Sequence, residues 1–394
     1  MTNPTSHLRV LVIPDKFKGT LTAGEAATAI ARGWARARPQ DAVRTLPLTD
    51  GGDGFGDCLS RILGARRRWV RTLDAAHRPC RCPWWFEPQS RLAIVESALC
   101  IGLAMLPPGR YHPFELDTRG LAAVLLAASR AGARRCLIGI GGSATNDAGF
   151  GLARGLGWRF LDADARAITR WTELAGLASV VPPPLRPLGT MRLLVATDVR
   201  NPLLGRQGAT RVYGPQKGLR PTDFALAERC LHRLRTVVRR SSGNDAAATP
   251  GAGAAGGLGY GLLTFARATI ESGFELYARN ARLNTHLAWA DCVVTGEGGL
   301  DASSLMGKGV GEVARRTRQR GLPCFALAGR IENGAKLRRW FVKASALTPD
   351  FVHPDEAMRH PGPCLRRLAR DLASGIDLPP RQGAGSPSPL LSSV

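Results

Sequence analysis

This sequence of 394 residues lacks the signals of export, membrane insertion and zinc binding. No apolar run approaches the roughly 18 residues of a membrane-spanning helix, and the N-terminal segment has no apolar signal region. The nine cysteines include no C-x-x-C pair, and the seven histidines avoid the glycine-rich loops. We therefore expect a cytoplasmic protein with reduced thiols and no membrane partner, and not a zinc enzyme or a Ser-His-Asp hydrolase.

Lysine is scarce in a chain that is otherwise strongly basic. The formal net charge is +23, yet six of the 54 basic residues are lysines. The arginines are scattered, and their clusters lack interleaved aromatic residues, so we expect no dedicated nucleic-acid binding. Three lysines, Lys18, Lys217 and Lys308, stand in glycine-rich loops. Their placement suggests positions where a compact positive charge is required.

Length and composition indicate a folded protein with two domains. Strand–loop–helix units begin near Leu8, Val43 and Cys292 and predict a parallel sheet, whereas short runs between residues 70 and 95 predict antiparallel strands. We predict one discontinuous α/β domain, residues 1–66 plus 286–378, with an inserted α/β domain, residues 67–285. Residues 379–394 are predicted to form a disordered tail.

Glycine-rich loops follow several of the predicted strands. In parallel sheets such loops lie where ligands bind, and their backbone N–H groups can approach an anion. Loops of this form follow Pro14, Leu48 and Thr295, the last spanning residues 296–309, and another is Gly139–Asp147. None of these loops matches a P-loop. None matches a dinucleotide-binding fingerprint either, and that absence disfavours an oxidoreductase.

Carboxylates and lysines accompany the glycines of these loops. Phosphoryl transfer requires carboxylates for Mg²⁺ and for the attacking hydroxyl, and cations for the phosphate oxygens. The lysines in the loops can supply the cations. The candidate carboxylates are Asp15, Asp50, Asp53, Asp147, Asp198, Glu297 and Asp301.

Taken in order, these loops resemble those of the glycerate kinase family of the bacterial organic-acid type. The matching stretches are Pro14–Thr20, Asp50–Gly54, Glu96–Ala98, Gly139–Asp147, Thr197–Pro202, Tyr213–Gly218, Gly251–Gly257 and Thr295–Gly298, followed by Asp301 and Gly307-Lys308. The resemblance implies a flavodoxin-like parallel-sheet domain with a second, inserted α/β domain that contains a mixed sheet. It also implies ATP, Mg²⁺ and D-glycerate as ligands, with the 2-hydroxyl as the usual acceptor, and it is compatible with a homodimer.

The resemblance leads to a hypothesis for the site. Asp50 or Asp198 would be the general base, Lys18 and Lys308 would neutralise the transferring phosphoryl group, and Glu297 and Asp301 would face Mg²⁺. The remaining candidates for binding substrate or nucleotide are Asp15, Lys16, Gly51, Gly52, Gly141, Gly142, Ser143, Thr145, Asn146, Asp147, Asn201, Gln216, Lys217, Gly296 and Arg330.

One loop departs from the family pattern. The family usually has Arg-Ile-Asp and then Gln where this chain has Gly299-Leu300-Asp301 and Ser303, and a proline where it has Val310. Arg330, after the next predicted strand, is our candidate to replace the missing guanidinium.

Two alternatives stay open for the function. One is a glycerate 3-kinase or a kinase for a related small hydroxy acid, and the other is a non-catalytic sensor of an acidic metabolite or nucleotide. Asp50, Asp198, Lys18 and Lys308 occur together in this chain, and a sensor would not need all four. Their joint presence therefore favours a kinase.

Overall fold

The computed structural model of the chain describes residues 7–243, 245–305, 309–332, 337 and 339–378. Lys308 and the predicted tail lie outside these residues. The described strands are β1 Arg9–Pro14, β2 Ala42–Thr45, β3 Arg66–Leu73, β4 Pro79–Glu87, β5 Leu92–Glu96, β6 Arg135–Gly139, β7 Arg159–Leu161, β8 Ser179–Val181, β9 Arg192–Ala196, β10 Thr269–Glu271, β11 Cys292–Leu300, β12 Cys324–Ile331 and β13 Lys343–Thr348.

The described α-helices are α1 Ala23–Ala37, α2 Phe55–Leu63, α3 Ala98–Ile101, α4 Arg119–Arg130, α5 Phe150–Gly155, α6 Ala209–Tyr213, α7 Phe224–Ser242, α8 Ala254–Phe265, α9 Gly273–Asn280, α10 Leu283–Trp289, α11 Gly309–Gln319, α12 Pro354–Arg359 and α13 Pro361–Ser374. Short 3₁₀ turns connect some of them, among them Pro215–Lys217 and Ala302–Leu305.

The described residues of Met1–Leu48 and Arg282–Val394 form one compact unit, here called the first unit, and those of Thr49–Ala281 form the second unit. The predicted domain boundaries at 66/67 and 285/286 stay predictions. They differ from these units mainly in residues 49–66, which include the Asp50–Gly54 loop and helix α2 and belong to the second unit.

The first unit contains a five-stranded parallel sheet in the order β13-β12-β11-β1-β2. Counted along its own strands this is the order 2-1-3-4-5 of flavodoxin-like sheets, so the predicted fold is confirmed. β1 is buried over almost its whole length, as its apolar sequence predicts. Helix α1 begins with the predicted capping box, in which Glu25 N donates to Thr22 Oγ1 and Thr22 N donates to Glu25 Oε2.

The second unit contains a six-stranded mixed sheet in the order β10-β9-β6-β5-β4-β3. The predicted antiparallel strands are confirmed: β3 pairs with β4, and the end of β4 pairs with β5. β5, β6, β9 and β10 are parallel, so their carboxyl ends meet at one edge of the sheet. Helices α4 and α8 contribute to its apolar core through residues such as Leu121, Leu125 and Leu258.

Strand β11 is longer than the sequence predicts. Residues 296–300 were expected in a loop, but they continue the strand and pair with β12 from Gly296↔Leu327 to Leu300↔Ile331. The expectation was wrong because glycines, which usually indicate a loop, here allow the two backbones to lie side by side. Glu297 therefore projects from a strand. In the described part of the chain, no helix combines the length and the hydropathy needed to cross a membrane.

Candidate active site

The carboxyl ends of β1 and β11 bring together four of the predicted residues in the first unit. Asp15 N donates to Gly296 O at 2.8 Å, and the Asp15 carboxylate accepts from Lys16 N at 2.7 Å. A Cβ on Gly298 would lie 3.0 Å from Lys18 N, so the Lys18 backbone passes close to β11 while its side chain is exposed. The strand order of the sheet reverses at β1, which is where such sheets bind ligands.

Glu297 and Asp301 lie further along the same chain segment. Glu297 is half-buried in β11, opposite Ala328. Asp301 Oδ1 accepts from Ser304 N at 3.1 Å and so holds the 3₁₀ turn Ala302–Leu305. Among the described residues no three His, Cys, Asp or Glu side chains form a metal site by themselves. One or two carboxylates, completed by phosphate oxygens and water, are the usual protein contribution to Mg²⁺, and this donor set fits that pattern.

Arg330 lies beside the glycine that departs from the family pattern. Gly299 and Arg330 are register partners in β11 and β12, and a Cβ on Gly299 would lie 3.7 Å from Arg330 Nε. The Arg330 side chain is 71% exposed and contacts Glu332 at 3.2 Å. The guanidinium is therefore next to the space that a side chain at position 299 would fill.

In the second unit, β5, β6 and β9 end level with one another at Glu96, Gly139 and Ala196. The loop that starts at Asp50 lies across this edge, where Gly141 N donates to Gly51 O at 3.2 Å. Gly51 has φ +97°, and a Cβ on it would lie 2.5 Å from Ala196 O. Glycine is required at this position for both reasons.

Glu96 is a functional candidate that the residue-by-residue assignment missed, although it lies in a stretch that matches the family. Its two carboxylate oxygens accept from Gly54 N and Gly56 N, each at 2.9 Å, and the residue is 4% exposed. Burial raises the pKa of Glu96, and the two backbone hydrogen bonds oppose that rise. The Glu96 carboxylate thus accepts the hydrogen bonds at the N-terminus of α2, where the sequence suggested that a ligand anion would bind.

Asp198 and Asp50 lie near each other at this edge. Ser272 Oγ donates to Asp198 Oδ1 at 2.7 Å, and Phe274 N, in the first turn of α9, donates to Oδ2 at 3.2 Å. Burial raises the pKa of Asp198, and the negative charge of Asp50 adds to the rise. Asp50 Oδ1 accepts from Gly52 N at 3.1 Å, and no described residue donates to its Oδ2.

The loop Gly139–Asp147 has an accessible end and a buried end. Gly142 is exposed, whereas Ser143, Thr145, Asn146 and Asp147 are buried. Asp147 accepts hydrogen bonds from Gly149 N, Gly151 N, and both Thr118 N and Thr118 Oγ1. Burial raises the pKa of Asp147 to about 6, and the Asp117 charge adds to the rise. Asp147 holds the start of α5 and the shape of the loop.

Lys217, Gln216 and Asn201 complete the predicted set. Lys217 is 7% exposed, and its Nζ donates to Thr145 O at 2.6 Å. Gln216 is exposed. Tyr213 Oη donates to Asn201 Oδ1 at 2.6 Å, and Asn201 Nδ2 donates to Gln207 O at 2.8 Å. Both ends of the Asn201 amide are thus used within the protein, and the binding roles of these residues stay predictions.

The buried Lys217 has a consequence for the pH dependence of stability. Burial lowers the pKa of Lys217 to about 7, and attraction by Asp147 opposes the shift. Because an unfolded lysine keeps its proton to about pH 10.4, the unfolded state binds more protons between these values. The Lys217 contribution to the free energy of unfolding therefore rises between pH 7 and 10, by up to about 1.4 kcal/mol per pH unit. Asp147 has the opposite slope, but between about pH 4 and 6.

Lys217→Met is expected to remove this rise, which urea unfolding at pH 6.5, 8 and 9.5 would measure. The exposed Lys343→Met serves as the control and should keep the wild-type slope. Parallel pH profiles of the wild type and Lys217→Met would contradict the prediction.

Comparisons with known proteins agree with one another. The model of the glycerate kinase family matches residues 10–377. A glycerate kinase of Halalkalibacterium halodurans is 35% identical over 369 residues, covering 92% of this chain and 97% of the relative. Glycerate 2-kinase of Escherichia coli K12 is 30% identical over 376 residues, covering 94% and 98%. A crystal structure from Salmonella typhimurium LT2, assigned as glycerate kinase 2, has a TM-score of 0.80 at 30% identity, covering 93% and 98%.

Proposed function

Because this chain belongs to the glycerate kinase family, we propose that it transfers the terminal phosphoryl group of Mg-ATP to the 2-hydroxyl of D-glycerate. The observation that carries the proposal is the pair Asp50 and Asp198 beside the open end of the Gly139–Asp147 loop. A carboxylate can accept the proton of the attacking hydroxyl, and backbone N–H groups can hold the carboxylate of glycerate.

Within the pair, Asp50 is the better general base. Both oxygens of Asp198 are engaged in holding Ser272 and α9, whereas Asp50 Oδ2 receives no hydrogen bond from a described residue. Little proton transfer is needed before a loose phosphoryl-transfer transition state, so an ordinary carboxylate is sufficient. We assign Asp50 to the substrate hydroxyl and Asp198 to keeping α9 and the Asp50 loop in place.

The first unit would bind the nucleotide. Lys18 is exposed beside β11, and Lys308 is the corresponding candidate from the sequence. Glu297 and Asp301 would hold Mg²⁺ with the phosphate oxygens. When bound, the metal neutralises charge on those oxygens. The lysines would orient the phosphates and stabilise the charge that the transition state spreads over them.

The direct test is incubation of the purified protein with Mg-ATP and D-glycerate, followed by ³¹P NMR of the product. We expect ADP release that requires both Mg²⁺ and glycerate, with 2-phosphoglycerate as the product. A 3-phosphoglycerate product would support the alternative regiochemistry. Nucleotide or glycerate binding with no ADP release, across several small hydroxy acids, would support a sensor and contradict the kinase proposal.

A cytoplasmic location is part of the same proposal. All nine cysteines are free in the structure, and eight of them are buried. Free thiols are the usual state in a reducing compartment, which supports this location.

Arg330 offers a test of the altered loop. If it replaces a guanidinium at position 299, Arg330→Ser should raise KM for glycerate or ATP at least about tenfold, because a charge-assisted hydrogen bond is lost. Adding Gly299→Arg should then recover much of the loss, which steady-state kinetics would measure. Arg359→Ser, an exposed arginine of α12, is the control. Two effects that simply add would show that residues 299 and 330 do not share a ligand.

A further inference from the structure

The Lys217 side chain is buried, and two backbone segments lie against its Nζ. Of the described residues, Thr145 supplies the one acceptor within hydrogen-bond distance of Nζ, at 2.6 Å. Gly256 lies on another side, where an added Cβ would come within 2.8 Å of Nζ and would overlap Thr145 O. A ligand atom therefore has no room between the ammonium and these two backbone segments.

The backbone around Gly256 is shaped to leave this space for the ammonium. Ala255, Gly256 and Gly257 have φ values of +56°, +70° and +84°, so three successive residues are left-handed. Such an arc is strained for a non-glycine residue and persists only where surrounding contacts hold it. Ala255 O accepts from Ser143 Oγ at 3.2 Å, and Gly256 O accepts from Ala148 N at 3.1 Å. The arc is thus fastened to the same loop that Lys217 holds.

A chain of contacts connects Thr145 to the open end of the loop. Thr145 N donates to Ser143 Oγ at 3.2 Å, and the two hydroxyls of Ser143 and Thr145 lie 3.0 Å apart. Ala144 N donates to Ile101 O, and Leu103 N donates to Gly142 O. Movement of the Thr145 carbonyl would therefore displace Ser143 and, through the chain, the backbone of the exposed Gly142.

We propose that Lys217 is a positioning residue, whose side-chain amine clamps the Thr145 carbonyl and thereby fixes the backbone N–H group of Gly142 for binding the substrate carboxylate. This inference rests on the proposed function for the identity of the ligand, but not for the clamp itself. This positioning role differs from direct binding of a phosphate by Lys217. The buried side chain would affect the ligand only by holding the loop in place. A residue of this kind sets ligand affinity more than the rate of the chemical step.

The clamp is tested without any assay of activity. Hydrogen–deuterium exchange of peptides covering residues 141–147 should be at least about tenfold faster in Lys217→Met, because the loop opens more readily without the Nζ hydrogen bond to Thr145 O. Leu234→Ala, in the buried face of α7, is the matched control for a general loss of stability. It should leave exchange in this loop close to that of the wild type. Unchanged exchange in Lys217→Met, or an equal increase in both variants, would overturn the proposal.

The link to the ligand is tested by calorimetric titration with D-glycerate and by steady-state kinetics. In Lys217→Met we expect Kd and KM for glycerate to rise at least about tenfold, while kcat stays within about threefold. A collapse of kcat with unchanged Kd would mean that the ammonium acts on the transferring group and would overturn the positioning role. If the wild type binds no glycerate, the proposed function fails while the exchange measurement still decides the clamp. Lys217→Gln provides the same comparison if the methionine variant does not fold.

Discussion

Asp50→Asn is expected to lower kcat of glycerate phosphorylation by about 10²- to 10⁴-fold, the range found when a positioned general base is removed. The substitution keeps the shape of the side chain and its acceptor toward Gly52 N, so the loop should be retained. The loss should appear in kcat rather than in KM for ATP, since nucleotide binding is assigned to the first unit. Steady-state kinetics with D-glycerate and with ATP as the varied substrate measures both.

Asp57→Asn is the control for this prediction. Asp57 is 49% exposed on α2, and its ion pair with Arg67 is exposed as well. Such pairs contribute little to stability, so this variant should keep wild-type activity. If Asp198→Asn removed activity to the same extent while Asp50→Asn retained it, the roles of the two carboxylates would have to be exchanged.

Lys308→Ala is expected to lower kcat by about 10²- to 10³-fold, with a smaller change in the affinity for ATP. The reason is that a positive charge aimed at the transferring phosphoryl group stabilises the transition state more than the bound nucleotide. Lys308 precedes Gly309, the first residue of α11, and is assigned from the sequence because it lies outside the described residues.

Lys343→Ala is the matched control, because Lys343 is exposed at the amino end of β13, away from the carboxyl ends of the strands where the ligand-binding loops begin. Single-turnover kinetics separates the chemical step from nucleotide binding and product release. A Lys308→Ala variant with normal kcat and weakened ATP binding would show that this lysine binds the nucleotide in the ground state without assisting transfer.

The sequence predicts the architecture well because the relevant signals are local. The apolar run of β1, the capping box of Thr22 and Glu25, and the repeated strand–loop–helix units each depend on a few neighbouring residues. The flavodoxin-like sheet and the mixed sheet follow from them. The extension of β11 could not be predicted in the same way, because the segment from Glu297 to Leu300 is a strand through its pairing with distant β12.

The site is harder to predict, because the role of a polar side chain depends on which groups surround it. The motifs single out Asp50, Asp198 and Lys217, whose roles stay predictions, and spacing does not show that Asp198 holds α9 or that Lys217 is enclosed. Glu96 was missed as an individual residue because a carboxylate at the end of an apolar strand resembles an ordinary strand terminus. Its partners, Gly54 N and Gly56 N, are about forty positions earlier in the chain.

The carboxylates at the ends of helices have a further consequence for the response to ionic strength. Glu96, Asp147 and Asp198 already occupy the N-termini of α2, α5 and α9, so these helix ends present little uncompensated positive charge to a ligand. An anion bound at the glycine loop of the second unit would be held by short-range hydrogen bonds, which added salt weakens little. A polyphosphate facing the exposed Lys18 would feel a charge that salt screens within about 10 Å at 0.1 M. Raising the salt concentration should therefore weaken the affinity for ATP while leaving the affinity for glycerate almost unchanged.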